Sequence, residues 1–435
     1  MYRVCNTAER DIGMLYYMTD RDGTGGRLKK SAEDFIVTEV SDKPPVIEDG
    51  KFTIAEITTK NWETNRLIRL LARAMRISRE RIGFAGTKDK RAITTQLMSF
   101  ECDPSRLNEV TFNDITIGSY YKSNRPIRMG DLKGNRFSIT VRDIESDISA
   151  CSETVKQSVD EIVQTGGFPN YFGVQRFGTS RPVTHIVGEK IVRGDIKGAV
   201  DTYLFHPSEN EGEEVTNARD ALRRCNGSYT TEIFEVMPKI MGFEKVLVEH
   251  LIRKPDDYIG AISEMPSNLQ MMFTHAYQSY LYNLMLSKRM EKELPLNVPI
   301  VGDTVIPMDI NGVPDHDGPV TVTSKNIKLV ERQVQKNRAA IAITVFGSDG
   351  MFSEGEMGEI ERKIISEANL TKDDFIVPGL AHCSAKGNWR EILCPVHDLT
   401  TKFNDDSYEL SFFLTKGNYA TCLMREFLKA EMTRY

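Results

Sequence analysis

Hydrophobic and polar positions alternate with different periods along this chain, and the periods change near its middle. Residues 34–40, DFIVTEV, and 52–58, FTIAEIT, carry apolar positions over strand length and predict two strands. After Asn61 and Thr64, both candidate N-caps, the run RLIRLLARAMR places Leu67, Leu70, Leu71, Ala74 and Met75 on one helical face. Arg66, Arg69, Arg73 and Arg76 recur at three and four and form a basic stripe on another face. Spacing alone reads such a stripe as a solvated helix face. IGFAG at 82–86 predicts a short strand, TKDKRA a loop and ITTQLMSF the next strand. RFSITVR at 136–142 alternates as a strand with one buried face. ACSETVKQSVDEIVQTGG predicts a helix closed by two glycines, with Val155, Val159, Ile162 and Val163 inward.

Beyond Gly167 the helical period dominates. Residues 181–290 read mostly as helices, interrupted by the acidic loop SENEGEE. The longest helix is predicted over 267–290, with Phe273, Tyr277, Tyr280, Leu281 and Leu284 on a core-facing stripe. AIAITVF at 340–346 predicts a strand, and 354–368 a helix. REILCPVHDL reads as a strand leading back toward the first unit, and YELSFFL at 408–414 alternates as another. KGN then opens a helix, YATCLMREFLKAE, with Asn418 as its expected N-cap. The return to strand, loop and helix predicts a chain of two units, the second inserted into the first.

Composition narrows the class. A chain of 435 residues exceeds one ordinary domain. With 40% hydrophobic and 27% charged residues, it is neither disordered nor fibrous. No apolar run is long enough to predict a transmembrane helix, and the charged N-terminus lacks the apolar stretch of a signal peptide. Seven cysteines without a CxxC predict no disulfide framework and fit a reducing cytoplasm. The net charge of −6 argues weakly against nucleic acid as a partner, but the distribution argues for it. Residues 60–91 contain ten basic and three acidic side chains, and 119–142 six and one. Phosphate binding needs local positive potential, not a basic total.

Two segments are candidates for chemistry. In Gly86-Thr87-Lys88-Asp89-Lys90-Arg91 a single carboxylate sits among three cations, which favour its ionised form. Such a group can serve as nucleophile or electrostatic stabiliser, or simply balance charge in a surface turn. PNYFGVQRFG at 169–178 mixes aromatics, amides and arginine, suited to stacking on a base or to a packed interdomain turn. Cys383, Cys394 and His397, with His382 adjacent, lack zinc spacing, and HExxH is absent. Gly23-Thr24-Gly25-Gly26 lacks the lysine of a P-loop and reads as a flexible turn. No motif implies a metal or a nucleotide or flavin cofactor.

Taken in order, LKKSAEDFIVTEV, GFAGTKDKRAITTQ, LKGNRF, PNYFGVQRFG and LTKGNYATCLMREF resemble the tRNA pseudouridine synthase D (TruD) family. These motifs span residues 28–427, nearly the whole chain. The resemblance implies an α+β fold: a pseudouridine synthase core of mixed, mostly antiparallel sheet flanked by helices, with a large inserted α/β TRUD domain. The core is expected from 1–168 and 392–435, and the insert from 169–391. It further implies Asp89 as catalytic aspartate, Lys29 as its basic ion-pair partner, and substrate contacts from Phe35, Asn170, Phe172, Tyr419 and Arg425. Tyr419 stands where many relatives have Phe, which keeps the ring and adds a hydroxyl. The implied partner is tRNA, with uridine-13 of the D-arm as target and no cofactor, because isomerisation changes neither oxidation state nor composition. Asp89 can act by attacking C1′, by attacking C6, or by removing a proton to give a glycal. A broader set of RNA targets, or an RNA-binding or chaperone protein on the same scaffold, are the alternatives.

Overall fold

The computed structural model describes residues 2–225, 227–310 and 312–435. A nine-stranded sheet forms its first layer. Across it run His397–Phe403, Tyr408–Thr415, Leu132–Ile144, Phe35–Ser41, Ile93–Phe100, Phe52–Lys60 and Ile115–Ser123. Two short strands, Gly25–Arg27 and Ile82–Phe84, pair with Leu132–Ile144 and Ile93–Phe100. Only Phe35–Ser41 with Ile93–Phe100 is parallel; the other pairs are antiparallel. The helices Thr64–Met75, Ile148–Thr165 and Ala420–Leu428 accompany this sheet.

The second part has seven helices from Thr184–Val192 to Ser267–Glu291 and a four-stranded antiparallel sheet. Its strands are ordered Val320–Thr321, Thr304–Pro307, Ala339–Val345 and Asn388–Glu391. The chain leaves and returns at one place, where Phe168 and Pro169 pair with Cys394 and Leu393. Gly167 (φ +154°) marks this crossing, because a Cβ there would collide with the Cys394 carbonyl. The segment REILCPVHDL therefore does not form one strand. It is divided among three sheets: the four-stranded one, the two-stranded crossing, and the nine-stranded one.

The longest helix, Ser267–Glu291, is buried over much more of its circumference than the single aromatic stripe expected, and leaves Asn268, Met271, His275 and Lys288 exposed. Tyr282, Asn283, Ser287 and Arg289 are buried along with Phe273 and Leu281. Arg289 makes a two-pronged ion pair with Asp303 at 2.6 and 2.9 Å. Asn283 Nδ2 donates to the Ile12 and Phe172 carbonyls, so one amide ties the N-terminal segment to both parts. A single apolar cluster accordingly runs from Phe137 and Leu410 in the first part to Leu281 and Ile343 in the second.

Several local expectations change. The Thr64–Met75 helix is capped by Glu63, whose carboxylate accepts the Asn65 and Arg66 amides. Thr64 instead accepts the Lys88 amide through its hydroxyl, and Asn61 takes a left-handed turn at φ +63°. Ile68 joins the buried face, and Leu70 and Ala74 are half-buried. Val163 is exposed on the Ile148–Thr165 helix, about 100° round from buried Ile162. Asn418 does not cap the last helix; its amide nitrogen donates to Thr415. Gly23 to Gly26 are not a flexible turn. Thr24 is buried, and Cβ atoms at Gly23, Gly25 and Gly26 would strike Leu428, Glu145 and Val141.

Candidate active site

The loop carrying Asp89 is fixed at both ends and at its middle. Ala85 and Ala92 are buried at its two ends, and their carbonyls accept the Gly130 and Asn61 amides. Lys88 is held through its amide by Thr64 and through its side chain by Glu39, with Nζ–Oε2 at 2.5 Å. That ion pair is buried. Of the three cations beside Asp89 in sequence, Lys88 therefore turns inward, while Lys90 and Arg91 are exposed. The cation that meets Asp89 comes from sixty residues upstream: Lys29 Nζ lies 2.7 Å from Asp89 Oδ1. Lys29 adopts φ +55°, which is uncommon for a side chain with a Cβ and costs about 1–3 kcal/mol. Its ammonium also sits 4.2 Å from the Phe35 ring centroid.

Asp89 opens on a cleft of about 330 Å3 walled by Phe35, Phe137, Asn135, Asn418 and Tyr419. Phe35 meets Phe137 edge-on at 6.1 Å, and Phe137 stacks on Phe412 at 5.3 Å, giving the cleft a rigid aromatic floor. The strand register puts Phe35 and Val37 on the same face as Phe137 and Asn135. Among the described residues, Asn135 Oδ1 and Asn418 Oδ1 are buried without a hydrogen-bond partner. A buried acceptor left empty costs about 1–3 kcal/mol, so two in one cleft favour a ligand that brings donors. Neither residue was expected at the site. Asn135 stands inside LKGNRF, but nothing in its spacing separates a cleft amide from a strand amide.

Phe172 lies one step away. Asn283 clamps its backbone on both sides, accepting its amide at 2.9 Å and donating to its carbonyl at 3.1 Å. Its ring centroid is 6.4 Å from that of Tyr419 and 4.3 Å from the Arg390 guanidinium. Burial works against the Arg390 charge, but Glu391 and Tyr282 outweigh it, and its pKa lies above the ordinary arginine value. Tyr419 accepts from Arg176 through its hydroxyl at 3.1 Å, a contact that Phe could not make. Lys29, Asp89, Phe35 and Tyr419 thus meet at one cleft, with Phe172 behind Tyr419.

Asn170 and Arg425, expected at the substrate, are placed elsewhere. Asn170 is buried, with both ends of its amide engaged: Nδ2 donates to the Glu391 carbonyl and Oδ1 accepts from Arg390 at 2.6 Å. It orients Arg390 instead of presenting itself to the cleft. Arg425 is enclosed on a helix whose every residue is buried. Its guanidinium pairs with Glu9 at 2.7 Å and Glu426 at 3.1 Å, and lies over the Tyr17 ring. Those contacts bind the N-terminal segment to the last helix. Among the described residues, no group of three or more His, Cys, Asp or Glu side chains could hold a metal ion, and no helix is long and apolar enough to cross a membrane.

The family model for tRNA pseudouridine synthase D (TruD) matches residues 11–427. A protein of Methanococcoides burtonii, named probable tRNA pseudouridine synthase D, is 40% identical over 97% of both chains. One of Methanosarcina mazei with the same name is 38% identical over 97% of both. The crystal structure of a putative tRNA pseudouridine synthase D from Methanosarcina mazei superposes with a TM-score of 0.87 at 37% identity, covering 99% of this chain and 100% of that one. With the family model matched along nearly its whole length, and with relatives and a solved structure alike from end to end, this chain belongs to the tRNA pseudouridine synthase D family.

Proposed function

We propose that this protein isomerises uridine-13 in the D-arm of tRNA to pseudouridine in the cytoplasm, with Asp89 as the catalytic carboxylate and no cofactor. The observation that carries the reading is the Lys29–Asp89 pair, 2.7 Å apart in a cleft of aromatic walls and unpartnered amide oxygens. The reaction breaks the N1–C1′ bond, turns the uracil, and joins C5 to the same C1′; C5 then loses its proton and N1 gains one, so the product is an isomer. The detached base must stay in place as its own nucleophile, so a site needs one ionised carboxylate beside the sugar and walls that hold the ring. Asp89 supplies the first, and Lys29 holds it in position. Phe35 and Tyr419 supply aromatic walls, and Asn135 and Asn418 offer acceptors to the uracil N3–H and the ribose hydroxyls. A uridine in a folded arm reaches such a cleft only by leaving its stack, at a cost of a few kcal/mol. Residues 1–168 and 392–435 act in this reading as the catalytic core, and the 169–391 insert as the opposite wall for RNA.

Carbodiimide primer-extension mapping on an unmodified tRNA transcript tests it. The expected result is one stop at uridine-13, lost when that position is cytidine. Stops at other uridines of equal strength would show a broader target set, and no stop on any transcript would overturn the enzymatic reading.

A further inference from the structure

Across the Phe172–Tyr419 wall from Asp89 lies a second, larger cavity of about 450 Å3. It is built by the second part of the chain, chiefly the Ser267–Glu291 helix and the segment before Asn388–Glu391, and by the turn after Tyr408–Thr415. Its chemistry differs from that of the Asp89 cleft. Four cations border it: Arg176, Lys386, Arg390 and Lys416. Two imidazoles, His275 and His316, and the Trp389 side chain join them. His275 is exposed on its helix, and desolvation by its neighbours, with Arg176 adding to the effect, lowers its pKa and so favours the uncharged ring for stacking. Among the described residues, two buried polar atoms in this cavity lack partners, Arg176 Nε and His316 Nδ1. Lys386 is mostly exposed, and its nearest carboxylate, Asp349, is 3.8 Å away. The two cavities share a wall rather than a surface patch: Arg176 borders the second and hydrogen-bonds Tyr419 of the first.

From this juxtaposition we propose that the second cavity is a subsite for the nucleotide next to the target uridine, taking its base between the imidazoles and its phosphate at the cations. This deepens the function proposed above and rests on it. A polynucleotide entering the Asp89 cleft must continue past Tyr419, and the cations there match its next phosphate. The imidazoles and unpartnered nitrogens suit a base withdrawn from its stack. A free nucleotide would satisfy the same chemistry, but the shared wall makes continuity with the target the distinguishing feature.

Equilibrium RNA binding tests the proposal without requiring turnover. The probes are D-arm hairpins carrying uridine at the target position, with a base or an abasic sugar at either flanking position. The variants are the double substitution His275→Ala with His316→Ala, and Lys386→Ala. For one flanking position, the double variant should weaken binding of the base-containing hairpin by about tenfold, within the range of base stacking, and leave the abasic hairpin unchanged. Lys386→Ala should weaken both alike, as a phosphate contact does. Equal loss on both hairpins in the double variant, or none at either position, would overturn the subsite. Full-strength binding of mononucleotide by the wild type, without any flanking-base effect, would also overturn it in favour of a free-nucleotide site. Turnover is read separately: a wild type that binds with this pattern but makes no pseudouridine would refute the enzymatic reading and leave the subsite standing.

Discussion

Lys29 holds a left-handed backbone conformation that its side chain disfavours, and its ammonium reaches Asp89 from there. Strain kept at a candidate reaction centre is consistent with positioning as its use. Lys29→Ala should lower kcat by roughly tenfold or more, about 1.4 kcal/mol of barrier, with RNA affinity within about twofold, and Lys29→Arg should recover part of the loss. Single-turnover kinetics beside a binding titration separates the two. Arg425 calls for the opposite readout. Arg425→Ala leaves Glu9 and Glu426 buried without their cation and should destabilise the protein by about 3–5 kcal/mol, measured by urea unfolding. The residue types at Asp89 and Lys29 were readable from motifs. The partner of Asp89 was not readable from its neighbours: the adjacent Lys88 looked equivalent but is bound to Glu39, forty-nine positions away, and only the sheet shows that. For Asn170 and Arg425, too, a motif gives a residue type and not the contacts that its side chain makes, with Glu391 and Arg390 in one case and Glu9 and Glu426 in the other.

At the scale of elements, the Thr64–Met75 helix carries Arg66, Arg69 and Arg73 along an exposed face, with Arg76 at its left-handed C-cap, and none is ion-paired among the described residues. Under the proposed function that stripe is the candidate for contacting tRNA phosphate. Arg69→Ala with Arg73→Ala should weaken tRNA binding and flatten its salt dependence by about one to two in log–log slope, with kcat at saturation little changed. Affinity measured across a salt series checks it. A second element-level feature is acid-linked. His250, buried on the Gly242–Arg253 helix, bonds Glu264 at 2.8 Å and Asp257 at 2.9 Å. Burial opposes its charge, but hydrogen bonds to Glu264 and Asp257 outweigh it and raise its pKa above 6.5. The folded state thus binds this proton more tightly than the unfolded one, so the contribution is full below pH 6.5 and is lost as pH rises through the higher folded value. Melting curves at pH 6 and pH 9 should show wild type losing its advantage over His250→Gln at the higher pH. Periodicity revealed most of these elements, because strands such as Leu132–Ile144 and Tyr408–Thr415 have one clear buried face. It failed where tertiary contact decides, as at the Glu63 cap and the buried polar residues Asn283, Ser287 and Arg289 of Ser267–Glu291.

For the whole molecule, the inserted part is not a loosely tethered body. Its exit and return strands are paired, its longest helix holds Ile12 and Phe172 through Asn283, and one apolar cluster spans both parts. The loop carrying Asp89 and the aromatic side chains around its cleft therefore come from segments far apart in sequence and fixed by a shared core. That arrangement was partly legible: strand–loop–helix patterns recur at both ends of the chain, whose strands share the nine-stranded sheet, whereas the two adjoining cavities depend on contacts that no spacing records. The central claim is that this frame serves one carboxylate. It is tested most directly by comparing wild type with Asp89→Asn on the same unmodified tRNA, mapping pseudouridine and measuring affinity together. The expected result is product at uridine-13 for wild type, none for Asp89→Asn, and tRNA affinity for the variant within about twofold of wild type. Pseudouridine formed by Asp89→Asn at a rate near that of wild type would contradict it.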